Sequence, residues 1–594
     1  MSTAAAPVYE WKALPWRKLE RRVFKLQTRI YRAQRRGNAT VVHKLQRLLV
    51  NSWSAKCLAV RRVTQDNRGK NTAGVDGVRA LPPTARLALV RSLGLSPKAL
   101  PTRRVWIPKP GTTEQRPLGI PVMRDRAAQA LLTLALEAEW EAVFEPNSYG
   151  FRPGRSCHDA IMALWIGLNQ KAKFVLDADI AKCFDRIDHD ALLRKLHTTP
   201  TFRRAIRTWL KAGVMDGPTL FPTEAGTPQG GVISPLLANI ALHGLETVIR
   251  AAFPRTGARF GRPGEEWSPI VVRYADDFVV LHQDLATVEQ AKQIAAEWLA
   301  GMGLELQPSK TRLVHSLYEH DGQSPGFDFL GFTVRQFPTG KSHSGKSTTG
   351  TRLGFKTLTM PSKTAIRRHE EALATAIRTY RAVTQAVLVH HLNPIIRGWS
   401  AYYSTAVAKA AFGRLDFHTY LKLQRWAKRR HPHASGWWIS AKYWRLDQGT
   451  WAFGTRDGTQ LHRHDQTPIR RHIKVRGEKS PYDGDWSYWA TRLGRYPGLY
   501  GREAILLKQQ RGTCARCRLY FRDPGAWEVD HIVATAHGGP RALANLQLLH
   551  PWCHDQKTAE DFPPAEVRLT MRRVSEEPDE GKLSRPVLQA GGGR

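Results

Sequence analysis

Ile270-Val271-Val272-Arg273-Tyr274-Ala275-Asp276-Asp277-Phe278-Val279-Val280-Leu281 is the stretch on which the reading of this chain turns. Two β-prone runs flank a short polar break, so the segment predicts a hairpin whose turn lifts two carboxylates onto the floor of a cleft. Upstream, 174–179 (Phe-Val-Leu-Asp-Ala-Asp) predicts another strand that ends in an acid, Asp179. Carboxylates brought side by side repel strongly unless cations lie between them. Hard carboxylate oxygens suit Mg²⁺, and two such ions about 4 Å apart stabilise both the attacking and the leaving oxygen of a phosphoryl transfer. Alone, Tyr-Ala-Asp-Asp is weak, since two acids in a turn usually mark a solvated loop. Its companions decide.

The 594 residues exceed one compact core and predict three or four domains. Lys and Arg number 90 against 51 Asp and Glu, a formal charge of +39 spread along most of the length. Such an excess points to a polyanionic partner, above all nucleic acid, because a merely solubilising surface mixes both signs more evenly. No export signal is visible near the N-terminus and no apolar run reaches about 18 residues, so no membrane association is expected. Six cysteines do not make a disulfide framework in so long a chain. The expected compartment is reducing and cytoplasmic.

Along the chain, 11–62 reads as basic helices, with Leu19, Val23, Leu26, Ile30 and Ala33 at helical spacing. From Arg103 short β-prone runs alternate with helical stretches such as 125–142 and 287–299, an α+β texture. Residues 339–350, rich in Gly, Ser and Thr, read as an exposed loop. Helical pattern then returns: Ile366, Leu373, Ile377 and Tyr380 share a face, and Lys422, Arg425 and Arg429 share another beside Trp426. A basic helix carrying aromatics suits RNA, the other reading being a solvated charged face. The divisions expected are 1–62, a basic helical extension; 63–336, fingers and palm; 337–445, thumb; 446–501, a basic connector or DNA-binding region without assignable fold; 502–562, a compact module; and 563–594, a tail.

The companions of the carboxylates are Ile107-Pro108-Lys109-Pro110, Arg116-Pro117-Leu118-Gly119, Ser148-Tyr149-Gly150-Phe151-Arg152-Pro153-Gly154, Phe184-Asp185, Gly226-Thr227-Pro228-Gln229-Gly230-Gly231, Pro308-Ser309-Lys310-Thr311 and Phe329-Leu330-Gly331-Phe332. In that order they closely resemble the blocks of group II intron-encoded reverse transcriptases. The resemblance implies a right-hand polymerase in which Asp179, Asp276 and Asp277 hold two Mg²⁺ ions, with the Ile180 carbonyl adding an oxygen. It implies that Lys109 and Arg116 grip the triphosphate of a dNTP, that Phe184 excludes a ribose 2′-hydroxyl, that Gln229 lines the nucleotide pocket, and that Lys310 protonates the leaving pyrophosphate.

Residues 393–403 (Asn-Pro-Ile-Ile-Arg-Gly-Trp-Ser-Ala-Tyr-Tyr) resemble the maturase segment of that family, an α-helical thumb that binds intron RNA and promotes splicing. Arg397 with Trp399, Tyr402 and Tyr403 offers charge and stacking together; the same aromatics serve equally as core.

Cys514-Ala515-Arg516-Cys517 and His550-Pro551-Trp552-Cys553 are two paired-ligand knuckles that can close a tetrahedral structural Zn²⁺ site. His550 departs from the all-cysteine second knuckle usual in the family that this module resembles. Between and just beyond them, Asp530-His531, Asn545 and His554 resemble an HNH endonuclease of ββα-metal fold. The resemblance implies that Asp530 and His554 hold a divalent cation, that His531 activates water, and that Asn545 fixes the loop carrying it.

The expectation is a protein that binds group II intron RNA, assists splicing, nicks target DNA and extends the nick by copying the intron, with a homo-oligomer left open. The alternatives are an RNA-binding maturase that has lost polymerisation and a reverse transcriptase of non-intron, defence type.

Overall fold

The computed structural model describes residues 10–108, 114–253, 268–340, 343–447, 449–497, 499, 501–521 and 527–562. Lys109 lies outside them. The chain divides into two compact units, 1–483 and 484–594.

Unit one begins with helices Trp16–Arg35, Ala39–Asn51 and Trp53–Arg61. Their apolar faces, including Leu19, Val23, Ile30, Val42 and Leu49, are buried while the Arg and Lys positions stay outside. They pack around Met123–Glu141, a helix buried nearly all round and hence without a polar face. Strand Thr102–Pro108 pairs antiparallel with Gln115–Ile120, placing Ile107 opposite Arg116, and runs parallel to Val214–Asp216. This fingers sheet has the order 115–120, 102–108, 214–216, 219–221.

The palm is a second four-stranded antiparallel sheet, ordered 270–274, 277–282, 174–179, 312–315. The Val-rich strands bury both faces, which is why they read as apolar runs rather than as alternating patterns. Helix Leu285–Ala300 packs against this sheet. Strands Phe327–Phe329, Phe332–Pro338 and Phe355–Pro361 form a third sheet. The described part of the Gly/Ser/Thr-rich stretch is the connection between the last two of these strands.

Helices Lys363–Thr379, Gln385–Tyr403 and Lys409–Arg430 make the thumb, with its own core of Leu373, Ile377, Leu388, Leu392, Leu423 and Trp426. Helix Gly436–Tyr443 and the hairpin Trp444–Asp447/Thr450–Phe453 follow. His464 is then wholly buried, its Nδ1 2.6 Å from Asp416 Oδ1 and its Nε2 2.8 Å from His369 Nε2.

From there to 483 the chain runs as a strap over the polymerase body. Arg470 N donates to Ser404 O at 2.8 Å, and Val475 N donates to buried Asp159 Oδ1 at 2.7 Å. His472 Nε2 lies 3.0 Å from the same oxygen, and Arg155 Nη2 donates to Gly477 O at 2.9 Å. Tyr482 closes the strap inside the main core, with Phe24 beside it and its hydroxyl donating to Glu137 Oε2 at 2.7 Å.

Unit two contains helices Trp486–Leu493 and Gly501–Gln509, strands Glu528–His531 and Leu546–Leu549, and helix Pro551–Asp561. The last three form the expected ββα arrangement, over a core that includes Leu506, Leu507, Trp527, Leu548 and Leu549.

Burial lifts the Glu137 carboxyl above its ordinary range, and the Tyr482 hydroxyl works against that shift. Removing the donor leaves an acid in the core short of a partner. We expect Tyr482→Phe to destabilise unit one by about 1–3 kcal/mol, read as a lower urea midpoint with an unchanged slope.

Candidate functional site

The hairpin of the opening sequence forms with a two-residue turn: Tyr274 pairs with Asp277, leaving Ala275 and Asp276 at the tip. Ala275 takes the left-handed conformation that tight hairpins require, with φ +57°. Strand 174–179 lies beside the second arm with Asp179 directly opposite Asp277, and Ile180 N donates to Asp276 O at 3.3 Å. The three acids predicted from separate segments therefore converge at one end of the palm sheet.

The segment 147–154 holds the turn from behind. Tyr149 N donates to Arg273 O and Arg273 N to Asn147 O, both at 2.9 Å. A Cβ on Gly150 would sit 2.4 Å from Ala275 N, so only glycine lets this loop lie against the turn. Arg273 is buried, its Nη1 donating to Ala275 O at 3.0 Å and to Asn239 Oδ1 at 3.1 Å, while Asn239 Nδ2 donates to Gly150 O at 2.8 Å.

Electrostatics follow from this convergence. Burial, and then the charges of Asp276, Asp179 and Asp177, push Asp277 up to about 7; Lys310 opposes the shift. Asp276 is raised by burial and by Asp179. Lys310 Nζ pairs with Asp179 Oδ2, and that bond raises the lysine. Burial raises Asp185 as it does Asp276, and Arg116, exposed on its fingers strand, opposes the rise at both.

The remaining polymerase candidates surround the acids. Phe184 is half-buried, with Phe151 edge-on at 6.2 Å between ring centroids. Gln229 Nε2 donates to Asp185 Oδ1 at 3.2 Å, and Gln229 O accepts from Gly119 N at 2.8 Å. The 226–231 loop is thus tied both to the fingers strand and to the chain just after Asp179. Gly226, at φ +84°, packs where a Cβ would lie 2.6 Å from the Asp185 backbone.

In unit two, Cys514, Cys517, His550 and Cys553 bring one potential ligand atom each to within 4.8 Å of the others. This includes His550, whose Nδ1 is 3.3 Å from Cys517 Sγ. Backbone N–H groups around Cys514 outweigh its burial and draw the thiol down to about 6, the direction a metal-binding thiolate needs. On the ββα elements, Asp530 Oδ1 lies 3.8 Å from His554 Nε2, and Asp530 Oδ2 accepts from Gln547 Nε2 at 2.8 Å. His531 ends the first strand. The loop after it is pinned by Asn545, whose Oδ1 accepts from Val533 N at 3.0 Å and whose Nδ2 donates to Val533 O and Pro540 O, both at 2.9 Å.

Four family profiles match in chain order. These are the N-terminal domain of reverse transcriptase at 11–93, reverse transcriptase (RNA-dependent DNA polymerase) at 107–334, the group II intron maturase-specific domain at 366–444 and HNH endonuclease at 514–560. Protein YkfC of Escherichia coli K12 is 34% identical over 49% of this chain and 82% of its own length. The group II intron-encoded protein LtrA of Lactococcus lactis subsp. cremoris is 28% identical over 73% of this chain and 80% of its own. The chain belongs to the group II intron-encoded proteins. It is a reverse transcriptase and maturase carrying an HNH endonuclease domain.

The thumb of this reverse transcriptase decides between the two readings of the aromatics at 399–403. Tyr402 and Tyr403 do not offer stacking faces: their hydroxyls donate to Leu330 O and Gly331 O, each at 3.1 Å, and both rings pack on Phe332. Trp399 is stacked on His369 at 4.6 Å. The two tyrosines dock the thumb on the 327–338 strands, Trp399 packs inside the thumb, and of the group Arg397 is exposed. Lys422, Arg425 and Arg429 do share a face, and they line a cavity of about 700 Å³ together with Arg378 of the neighbouring thumb helix and Arg381 in the turn after it. Among the described residues, no helix is long and apolar enough to cross a membrane.

Sequence reasoning missed several residues. Arg273 was visible as a lone charge inside an apolar strand, which is itself a signal of a buried partner. Glu528, whose Oε2 is 2.7 Å from His554 Nδ1, and Lys557, whose Nζ is 3.4 Å from Asp530 Oδ2, gave no local signal.

A carboxyl whose pKa is raised on folding contributes stability below its unfolded value near 4, and loses it as pH rises through the folded value. For Asp277 that window runs from about 4 to about 7. In Mg²⁺-free buffer, Asp277→Asn should therefore raise the melting temperature at pH 8, and the gain should shrink towards pH 5.

Proposed function

We propose that this protein copies its intron RNA into DNA at Asp179, Asp276 and Asp277, and that the nuclease module nicks the target DNA that supplies the primer. The observation that carries the reading is the register of Asp179 opposite Asp277 with Asp276 in the adjoining two-residue turn. No structural reason calls for three mutually repelling acids at that spot, whereas a cation site does. Two Mg²⁺ ions held there, with the Ile180 carbonyl, would supply charge neutralisation and Lewis-acid activation for nucleotidyl transfer.

The chain's own residues do the rest. Arg116, with Lys109, grips the incoming triphosphate, the guanidinium bidentately. Phe184 presents its ring where a ribose 2′-hydroxyl would lie, selecting dNTPs. Gln229, held by Asp185 and the fingers strand, lines the pocket. Lys310, paired with Asp179, would deliver a proton from Nζ to the leaving pyrophosphate.

In the nuclease, Asp530 and His554 hold the divalent cation, and His531 takes the proton of the attacking water. Asn545 keeps the loop beyond His531 from relaxing. Glu528 accepts from His554 Nδ1 and so leaves Nε2 turned towards Asp530 for the metal, the arrangement by which a carboxylate fixes a ligating imidazole. Cys514, Cys517, His550 and Cys553 hold a structural Zn²⁺ that substitutes for core in a small module. Intron RNA meets the thumb through Arg397, Lys422, Arg425 and Arg429, and splicing assistance follows from that binding. The functional divisions are an N-terminal extension at 1–62, fingers and palm at 63–336, thumb at 337–445, a DNA-binding connector at 446–501 and the nuclease at 502–562, with a tail at 563–594.

Two crossed variants test the assignment. Asp276→Ala should abolish cDNA synthesis on a primed RNA template and leave target nicking intact. His531→Ala should abolish nicking and leave primed synthesis intact. Normal cDNA synthesis by the first variant, or normal nicking by the second, would refute the corresponding site. Glu528→Ala should weaken Mn²⁺ binding at the nuclease by about 10- to 100-fold, measured by titration in an Asp276→Asn background, with Glu528→Gln retaining part of the affinity.

A further inference from the structure

Helix Lys409–Arg430 presents three faces. Phe412, Leu415, Thr419, Leu423 and Trp426 are buried. Arg414, Lys422, Arg425 and Arg429 make a basic stripe along one flank. At 100° per residue, Phe417, Tyr420 and Leu421 fall together on the other flank, and they are 58%, 42% and 38% exposed. A helix does not ordinarily leave Phe, Tyr and Leu in water along one line.

The exposed line continues beyond the helix. Tyr420 lies edge-on to Trp444, ring centroids 5.6 Å apart, at the base of hairpin Trp444–Asp447/Thr450–Phe453. Trp444 pairs with Phe453, and that pair is buried. The next pair on the same hairpin face is Leu446 opposite Trp451, and these side chains are 66% and 61% exposed. One face of the hairpin is thus core at its base and bare indole and leucine towards its tip. Phe417, Tyr420, Leu446 and Trp451 form an aromatic ledge bordered by the helix's cationic stripe.

We infer that this ledge binds unpaired nucleotides, their bases stacking on Trp451, Tyr420 and Phe417 while the neighbouring stripe holds their phosphates. Flat aromatic surfaces beside a line of cations are what single-stranded nucleic acid requires, and every base has a π-face to offer. A duplex has its bases already stacked and gains little from the ledge. A protein partner would find apolar surface here but also a row of cations, of which Arg414 is met by Glu370, on a chain of net charge +39. The inference rests on the reading of the protein as a binder of RNA and DNA, and deepens it by giving unpaired bases a seat distinct from the phosphate contacts of Arg397, Lys422, Arg425 and Arg429.

The experiment uses the full chain and labelled oligonucleotides of about 10 nucleotides, RNA and DNA of one sequence, together with the corresponding blunt DNA duplex. Trp451→Ala should weaken single-strand binding about 5- to 150-fold, leave duplex binding within about twofold, and leave the melting temperature unchanged because the side chain is largely in solvent. Trp451→Phe should restore most of the loss, and Phe417→Ala should weaken single strands in the same sense. Equal losses for RNA and DNA would assign the ledge to bases in general, whereas a loss confined to one would assign it to that strand. Single-strand affinity unchanged in both alanine variants would overturn the ledge. So would a duplex loss as large as the single-strand loss. Unchanged affinity accompanied by a shift in sedimentation would likewise overturn it and assign the face to a second copy of the chain. Failure of the unsubstituted protein to bind any oligonucleotide would instead overturn the nucleic-acid reading beneath it.

Discussion

Mutual repulsion among Asp179, Asp276 and Asp277 is the constraint around which the polymerase unit is organised. A sheet could shed that strain by sliding one residue in register, which would turn every side chain of the strand to the opposite face. Here it cannot slide. The turn is trapped between the backbone of 147–150 and the buried guanidinium of Arg273, which also holds Asn239, which in turn holds Gly150. The neighbouring Arg152 forms a buried ion pair with Glu141, 2.7 Å between Nε and Oε1. Buried charges of this kind contribute little net stability but make alternative packings costly. The palm thus keeps its acids close through a rigid, highly polar framework behind them rather than through attraction between them.

The thumb shows the opposite use of polar groups. Tyr402 and Tyr403 spend their hydroxyls on the backbone at 330–331, and His464 and His369 bury imidazoles against each other with Asp416 as the terminal acceptor. Burial and the neighbouring His464 hold His369 down to about 3, so His369 stays uncharged through the neutral range. These contacts leave the helix surfaces, not the helix–helix seams, to meet nucleic acid.

How much of this was legible in the sequence depends on the range of each interaction. The palm strands declared themselves through continuous Val and Ile runs, and their acids through position at strand ends. The knuckles 514–517 and 550–553 were readable because metal geometry imposes short local spacings. The aromatics of 399–403 were ambiguous in principle, since the same residues stack on bases and on one another. The strap was invisible for a different reason. An extended chain has no periodicity to detect, and several of its partners lie more than three hundred residues away, as Arg155 does from Gly477. Glu528 and His554 likewise meet only because a strand and a helix pack together, and neither neighbourhood announces the other.

Tyr482 is the last residue of the main core, and the second compact unit starts two residues later, at Gly484. Among the described residues, every buried side chain of the polymerase and thumb cores therefore precedes the first residue of the second unit. A recombination breakpoint falling just after the strap would append, delete or exchange the nuclease without reopening the polymerase's interior. The strap thus puts the seam between the copying and the DNA-cutting units at a place in the chain where none of the described core residues of the first unit would be lost by a cut.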